Sequence, residues 1–425
     1  MIKKIIYTLA GILVFVGIIL LTINFMNFTD PTKVAIIRNL LPKQFKDLIK
    51  ERVCLYRYHE SLEYKNERIF PQTQFVKLNY SEIKIKGLES QSREFYFKDT
   101  KRYGQKVVSF YIETFDDNNI LVAKSGATFL DNSLNFLKDK KVKTLEINNN
   151  LPKNISVDDT MIYKNKIFFS FRKRNESCEN RQIYSADLNF NFLNFEEFYS
   201  HGTTKKCEID HSVEGGRMAL YDDNGDLSFI ISTNYPNDEN HKLLKNYSKP
   251  RETVMLLINY ETKKFRIFTS GHRNPQGLLV NEKNMIISTE HGPRGGDEIN
   301  KIIEGNHYGW PFASYGVGGD NLNLNHSDHG FTEPIYAFVP SIGISQIIKV
   351  PEEFTPEWPN SYLVTSLKRG VIYRVVFDKN YSRIITMERM RIGKRIRDIA
   401  YNKKYKSFLL ALENESGSIG YISAN

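Results

Sequence analysis

Apolar and polar positions recur along most of this chain in one unit: an apolar stretch, a tight polar turn, a second apolar stretch, then a further hairpin. Five copies stand out, namely SFYIETFDDNNILVAKS ending at Ser125, DDTMIYKNKIFFSF ending at Phe171, GGRMALYDDNGDLSFIIST ending at Thr233, GLLVNEKNMIISTEHG ending at Gly292 and IRDIAYNKKYKSFLLALEN ending at Asn414. Their turns mostly hold Asn, Asp and Gly, which supply positive φ or side-chain capping in hairpins. Each copy therefore predicts a strand–turn–strand element. Further β-rich segments follow, such as RQIYSADLN with LNFEEFYS, or TVMLLINYETKKFRIFTSG, and complete a four-stranded antiparallel sheet. With Ser345 to Arg389 counted as another unit, about six such sheets are predicted, and radial repetition of four-stranded sheets is a β-propeller. A two-sheet sandwich would not need the same unit so often. The fold class is thus all-β, a six-bladed propeller of four-stranded antiparallel sheets.

The N-terminus breaks the pattern. Lys3 and Lys4 precede an apolar run from Ile5 to about Phe28, long enough to span a bilayer as a helix, with no comparable basic cluster directly after it. This predicts a transmembrane anchor over 1–28, N-terminus inside and body outside. The alternative is a cleaved secretory signal, against which stands the lack of a small-residue cleavage site after the run. Residues 29–93 read as a linker and entry region, with weak helical character around Lys43 to Glu51, a spacer that could also supply the strand closing the ring, and the propeller is expected over 94–425.

The 425 residues are 41% hydrophobic and 25% charged, an ordinary globular balance. The net charge of +10 is spread along the chain, and an exported location argues against nucleic acid as a partner. Cys54, Cys178 and Cys207 have no metal-ligand spacing, and an oxidising compartment would permit a Cys178–Cys207 disulfide.

A ring of blades gathers inter-blade loops around a central channel, so polar residues distant in sequence converge there. The richest stretch is GHRNPQGLLVNEKNMIISTEHGPRGGDEINKIIEGNHYGWP, Gly271 to Pro311. Its Gly-Pro-Arg-Gly-Gly-Asp-Glu loop offers main-chain carbonyls and carboxylates, the oxygen ligands a hard cation such as calcium prefers.

This stretch resembles the signature of the soluble glucose dehydrogenase and sorbosone dehydrogenase quinoproteins. Three more segments agree in order: IDHSVEGGRM (Ile209 to Met218), NSYLVTSLKRGVIYRVVFDKNYS (Asn360 to Ser382) and KRIRDI (Lys394 to Ile399). The resemblance implies oxidation of an aldose or related alcohol or aldehyde with pyrroloquinoline quinone (PQQ) and calcium. It assigns the cofactor's three carboxylates to Arg273, Asn274, Lys368, Arg395 and Arg397. Arginine forks suit carboxylates, and Lys368 would stand near the quinone oxygens. It assigns calcium to the carbonyls of Gly292 and Pro293, with a second, structural site at Glu298 and Tyr308. His211 would be the general base, with Asp210 beside it holding a sugar hydroxyl or tuning the imidazole.

The chain departs from the family where a glycine-rich loop should carry a glutamine. Around Asn154 to Thr160 it reads NISVDDT; STNYPND replaces a Gly-Asp run, and VPSIGIS lacks a tryptophan. The substrate therefore stays open among aldoses, polyols and aldehyde hydrates. The implied partners are that small molecule and a periplasmic or membrane electron acceptor, with a homodimer left open. Two other readings share the fold, a non-catalytic glycan- or protein-binding propeller and a calcium-dependent lactonase or hydrolase. The expected location is the periplasm, tethered to the inner membrane or free if the leader is cut.

Overall fold

The computed structural model describes residues 76–94, 106–131, 140–153, 155–175, 178–200, 215–234, 253–293, 295–316, 325–368 and 370–424, all within the unit Arg68–Asn425. Over these residues the chain forms six antiparallel blades. Blade 1 is Phe110–Phe115, Asn118–Ala123, Thr128–Asp131 and Lys143–Thr144. Blade 2 is Ile155–Tyr163, Lys166–Asn175, Cys178–Asp187 and Glu196–Ser200; blade 3 is Met218–Asp223, Asp226–Asn234, Thr253–Asn259 and Phe265–His272. Blade 4 is Pro275–Val280, Ile286–Glu290, Asp297–Ile302 and Tyr336–Phe338; blade 5 is Ile344–Lys349, Ser361–Ser366, Val371–Phe377 and Ile384–Arg391.

Blade 6 closes the ring. Its first three strands, Arg395–Asn402, Ser407–Glu413 and Ser418–Ala424, come from the C-terminal end; its fourth is Leu78–Lys86, antiparallel to Ser418–Ala424 and paired at its own end, in parallel, with the short strand Lys140–Lys141. That fourth strand falls inside the stretch read from sequence as a linker and entry region, so the propeller starts earlier than residue 94. The anchor expected over 1–28 lies outside the described residues, and among those described no helix is long and apolar enough to cross a membrane.

Each of the five sequence repeats is the inner hairpin of a blade. Their turns need left-handed backbone, supplied by Asp116, Lys164, Asn224, Asn284 and Lys406 at φ of 45° to 57°. Lysine thus takes this role in two turns where a neighbouring asparagine or none at all was available.

Alternate residues of a strand face opposite sides, and in a propeller both sides meet another blade. In SFLLALE of blade 6, Leu409 and Ala411 pack toward blade 1 with Phe110 and Ile112, whereas Phe408, Leu410 and Leu412 pack toward blade 5 with Leu363 and Ile372. Comparable buried clusters join blades 1 and 2, 2 and 3, 3 and 4, and 4 and 5. The core is therefore a closed series of inter-blade seams, which explains the nearly continuous apolar runs.

Candidate active site

In every blade the start of the inner strand and the end of the second strand lie at the same end, because the two are antiparallel. Arg273 and Asn274 precede the inner strand of blade 4, Gly292 and Pro293 follow its second strand, Lys368 follows the second strand of blade 5, and Arg395 and Arg397 begin the inner strand of blade 6. The topology puts all of these on one rim.

Side-chain contacts tie blades 4 and 6 together there. Arg397 donates from Nη1 to Gln276 Oε1 at 3.0 Å, and Gln276 Nε2 donates to Asn274 Oδ1 at 2.8 Å. Arg273 donates from Nη1 to the His291 carbonyl at 3.0 Å, and its guanidinium lies 5.2 Å from the centre of the Trp310 ring. Its Nε is buried with no hydrogen-bond partner, and so is Nε2 of His291. Burial lowers the pKa of both groups. An orphaned, desolvated guanidinium N–H costs about 1–3 kcal/mol, and an anionic ligand in the same cleft would recover it. Lys368 is exposed on the rim.

Behind the arginines stands Glu413, fully buried and missed in the sequence reading. Its Oε1 takes Arg397 Nε at 2.6 Å and Ser109 Oγ at 2.6 Å, while Oε2 takes Arg395 Nε at 2.9 Å. Burial raises its pKa, but Arg397, Arg395 and Ser109 outweigh that and hold the carboxyl down at about 2. One carboxylate against two guanidiniums leaves this part of the rim cationic.

The channel interior is organised by Arg217, also overlooked. It donates from Nη1 to Asp159 at 2.6 Å and Asp398 at 3.3 Å, and from Nε to the Gln276 carbonyl at 2.6 Å. Its guanidinium also lies 4.9 Å from the Tyr111 ring centre. Residues of four blades thus meet on one side chain, which itself leads into a fifth, blade 3. Burial pushes Asp159 up to about 6 and raises Asp398 and Glu113 as well.

Calcium can be tested against the residues present. Asp297, the acid of the Gly-Pro-Arg-Gly-Gly-Asp loop, is spent as a loop organiser: Gly292 N–H and Ser341 Oγ donate to one oxygen, and the amides of Ile342 and Ile344 donate to the other. It bends the loop so tightly that a Cβ on Gly292 would meet the Gly295 and Gly296 carbonyls at 2.0 and 2.3 Å, and this concentrates main-chain oxygens. Gly292, Glu298, Tyr308 and Arg273 line one cleft with Glu290 and Trp310. Behind its two glutamates Asn300 Nδ2 bridges Glu290 and Glu298 at 3.0 and 3.2 Å, and the buried Oδ1 of Asn300 has no partner. Burial, then the neighbouring Glu290, pushes Glu298 up to about 8. Glu298, a partly buried carboxylate on the cleft wall, and the main-chain oxygens gathered by the Gly292–Gly296 turn are the kind of ligands a hard cation takes. The Tyr308 hydroxyl is already used, donating to the Lys301 carbonyl at 2.5 Å and accepting from Ile303 N–H at 2.9 Å, so only its main-chain oxygen is left for a metal. Among the described residues no group of three or more His, Cys, Asp or Glu is arranged around a metal position.

His211, Asp210 and Cys207 lie outside the described residues, as does the side chain of Cys178.

A match to the glucose / sorbosone dehydrogenase family covers residues 153–420. The chain belongs to this family. Among its curated relatives are an aldose sugar dehydrogenase of Escherichia coli, 31% identical over 159 residues that make up 35% of this chain and 41% of that protein, and quinoprotein glucose dehydrogenase B of Acinetobacter calcoaceticus, 29% identical over 170 residues, 27% and 36% of the two chains. The chain thus spans about two-fifths of the length of these relatives. The solved apo-form of the soluble aldose sugar dehydrogenase from E. coli aligns with a TM-score of 0.58 at 17% identity, over 82% of this chain and all of that one. That likeness establishes the family's propeller fold for this chain.

Proposed function

We propose that this chain is a quinoprotein oxidoreductase that oxidises an aldose or a related alcohol or aldehyde with PQQ and calcium. The observation that carries the reading is the buried, partnerless Nε of Arg273 in the cleft that also holds Gly292 and Glu298. Family membership and the names of its relatives, a quinoprotein among them, support it.

When bound, the quinone would supply a two-electron acceptor for the hydride of the oxidised carbon. This chain's residues do the rest. Arg273, Asn274, Arg395, Arg397 and Lys368 hold the carboxylates and orient the ring. Glu413 fixes Arg395 and Arg397 by their Nε atoms. The carbonyls of Gly292 and Pro293 would hold calcium at the quinone, where it adds Lewis-acid polarisation, and Glu298 with the main chain of Tyr308 would hold a second ion. His211 takes the substrate hydroxyl proton at an imidazole nitrogen, assisted by Asp210.

The reading places the ring in the periplasm on an N-terminal anchor, passing electrons to a periplasmic or membrane acceptor. Lys3 and Lys4 before the apolar run support that orientation. Protease added to intact spheroplasts should digest the ring; protection would contradict the location. For the chemistry, full-length protein given quinone and calcium should bleach an artificial electron acceptor when aldoses are added, and His211→Ala should keep quinone binding and lose turnover. Failure of the wild type to bind quinone at any calcium level would end the reading.

A further inference from the structure

The rim carries an imidazole to which the reading above gives no task. His291 follows the second strand of blade 4, one step beyond the cross-strand pair Pro275 and Glu290. Its amide donates to the Asn274 carbonyl at 3.0 Å, so the two residues face each other at the open end of the hairpin. It lines the cleft that Arg273, Gly292 and Trp310 also line.

A chain of hydrogen bonds settles where the imidazole proton sits. A guanidinium can only donate, so the Gln276 atom 3.0 Å from Arg397 Nη1 is the amide oxygen. The other end of that amide is then Nε2, which donates to Asn274 Oδ1 at 2.8 Å and lies 3.4 Å from the Pro275 carbonyl. Asn274 is oriented in turn. Its Nδ2 is left to donate, and it reaches His291 Nδ1 in a long contact of 3.4 Å. Facing an N–H, Nδ1 must accept and carries no proton. The bond made by one ring nitrogen fixes the state of the other, so the proton of this imidazole lies on Nε2.

That Nε2–H is buried and has no hydrogen-bond partner. The Ile344 main chain faces the ring without closing a hydrogen bond to Nε2. Buried donors in folded proteins are almost always paired. Among the residues lining this cleft the other exception is Arg273 Nε, and Arg273 Nη1 is itself tied to the His291 carbonyl. Two unpaired buried N–H groups on linked residues of one cleft suit a single ligand rich in acceptor oxygens.

We propose that His291 is a further cofactor-contacting residue, whose Nε2–H donates to an oxygen of the bound quinone. This rests on the quinoprotein reading and adds a residue to its site. The proton and the binding are measured separately on the full-length chain. With isotope-labelled histidine, the nitrogen NMR signals of His291, assigned by their loss in His291→Gln, should report the Nε2–H form in the apoprotein, and Nε2 should shift when PQQ is added with calcium. In equilibrium titration with PQQ, His291→Leu should bind about tenfold more weakly, the worth of one hydrogen bond to a charged acceptor. His291→Gln, whose amide can donate from the same place, should bind as the wild type does. The wild-type spectrum is informative even if the leucine variant folds poorly. An Nδ1–H ring in the apoprotein, a leucine variant that binds as tightly as the wild type, or equal weakening in both variants overturns the inference, the last result making His291 a packing residue. A wild type that binds no quinone ends the parent reading as well, so the two failures are told apart.

Discussion

Glu413 Oε1 lies 2.6 Å from Arg397 Nε in a fully buried contact, and the other carboxylate oxygen holds Arg395. A rim that is to take a trianion from solvent needs cations held in place before the ligand arrives, and a carboxylate behind the guanidiniums does this without cancelling their charge.

That contact makes a pH prediction. Glu413 is held at about 2, against an ordinary 4.5. Its folded pKa is depressed, so its contribution to stability is present above about pH 4.5 and is lost as pH falls toward 2. The contribution is about 3 kcal/mol at neutral pH. Asp159, pushed up to about 6, acts oppositely, losing stability as pH rises from about 4 to 6. Urea unfolding of wild type and Glu413→Gln across pH 3 to 7 separates them. The gap between the two proteins should widen as pH rises from 3 to 5; a gap independent of pH would contradict this role of Glu413.

Arg273 should behave differently. With its Nε buried and unpartnered, Arg273→Gln removes a desolvation cost along with the Trp310 contact, worth about 1 kcal/mol. The melting temperature should stay within a few degrees, while quinone affinity falls about 100-fold. A variant that binds quinone as well as the wild type would remove Arg273 from the cofactor site.

Asp297 is expected to govern calcium without ligating it. Asp297→Ala leaves four donors unsatisfied in the Gly292–Gly296 turn and at the start of blade 5, at a cost of about 3 kcal/mol or more. Calcium affinity should fall with it, read by titration with a fluorescent competitor chelator. Unchanged calcium affinity would mean that the turn does not shape the site.

Ring closure depends on Leu78–Lys86. Ile83 and Ile85 pack with Ile419, Tyr421 and Phe110 in the seam between blades 6 and 1. Ile85→Ala should destabilise the protein by about 3 kcal/mol, measured by denaturant unfolding. A cost near zero would show that the ring holds without this strand.

The blades were legible because each inner hairpin is written as two apolar runs around a polar turn, as in SFYIETFDDNNILVAKS, and the rim residues followed from where the motifs sit on those hairpins. The closing strand could be expected somewhere in 29–93 but not located: LNYSEIKIK has mixed burial, and nothing local reveals that its partner lies at the other end of the chain. Glu413 and Arg217 escaped for a related reason, since each resembles a terminal residue of a strand until blades brought together from distant sequence give it partners. Asp297 misled in the opposite direction. An acid in a glycine loop suggests a ligand, and only the amides of Ile342 and Ile344, supplied by blade 5, show that it is consumed by structure.

The most direct test is equilibrium titration of full-length apoprotein with PQQ in the presence of calcium, followed spectroscopically as aldoses are added. Saturable one-to-one binding that Arg397→Ala and Arg273→Gln weaken, with reduction of the bound cofactor on adding sugar, is the predicted result. Absence of binding in the wild type, or binding indifferent to both substitutions, would contradict the account.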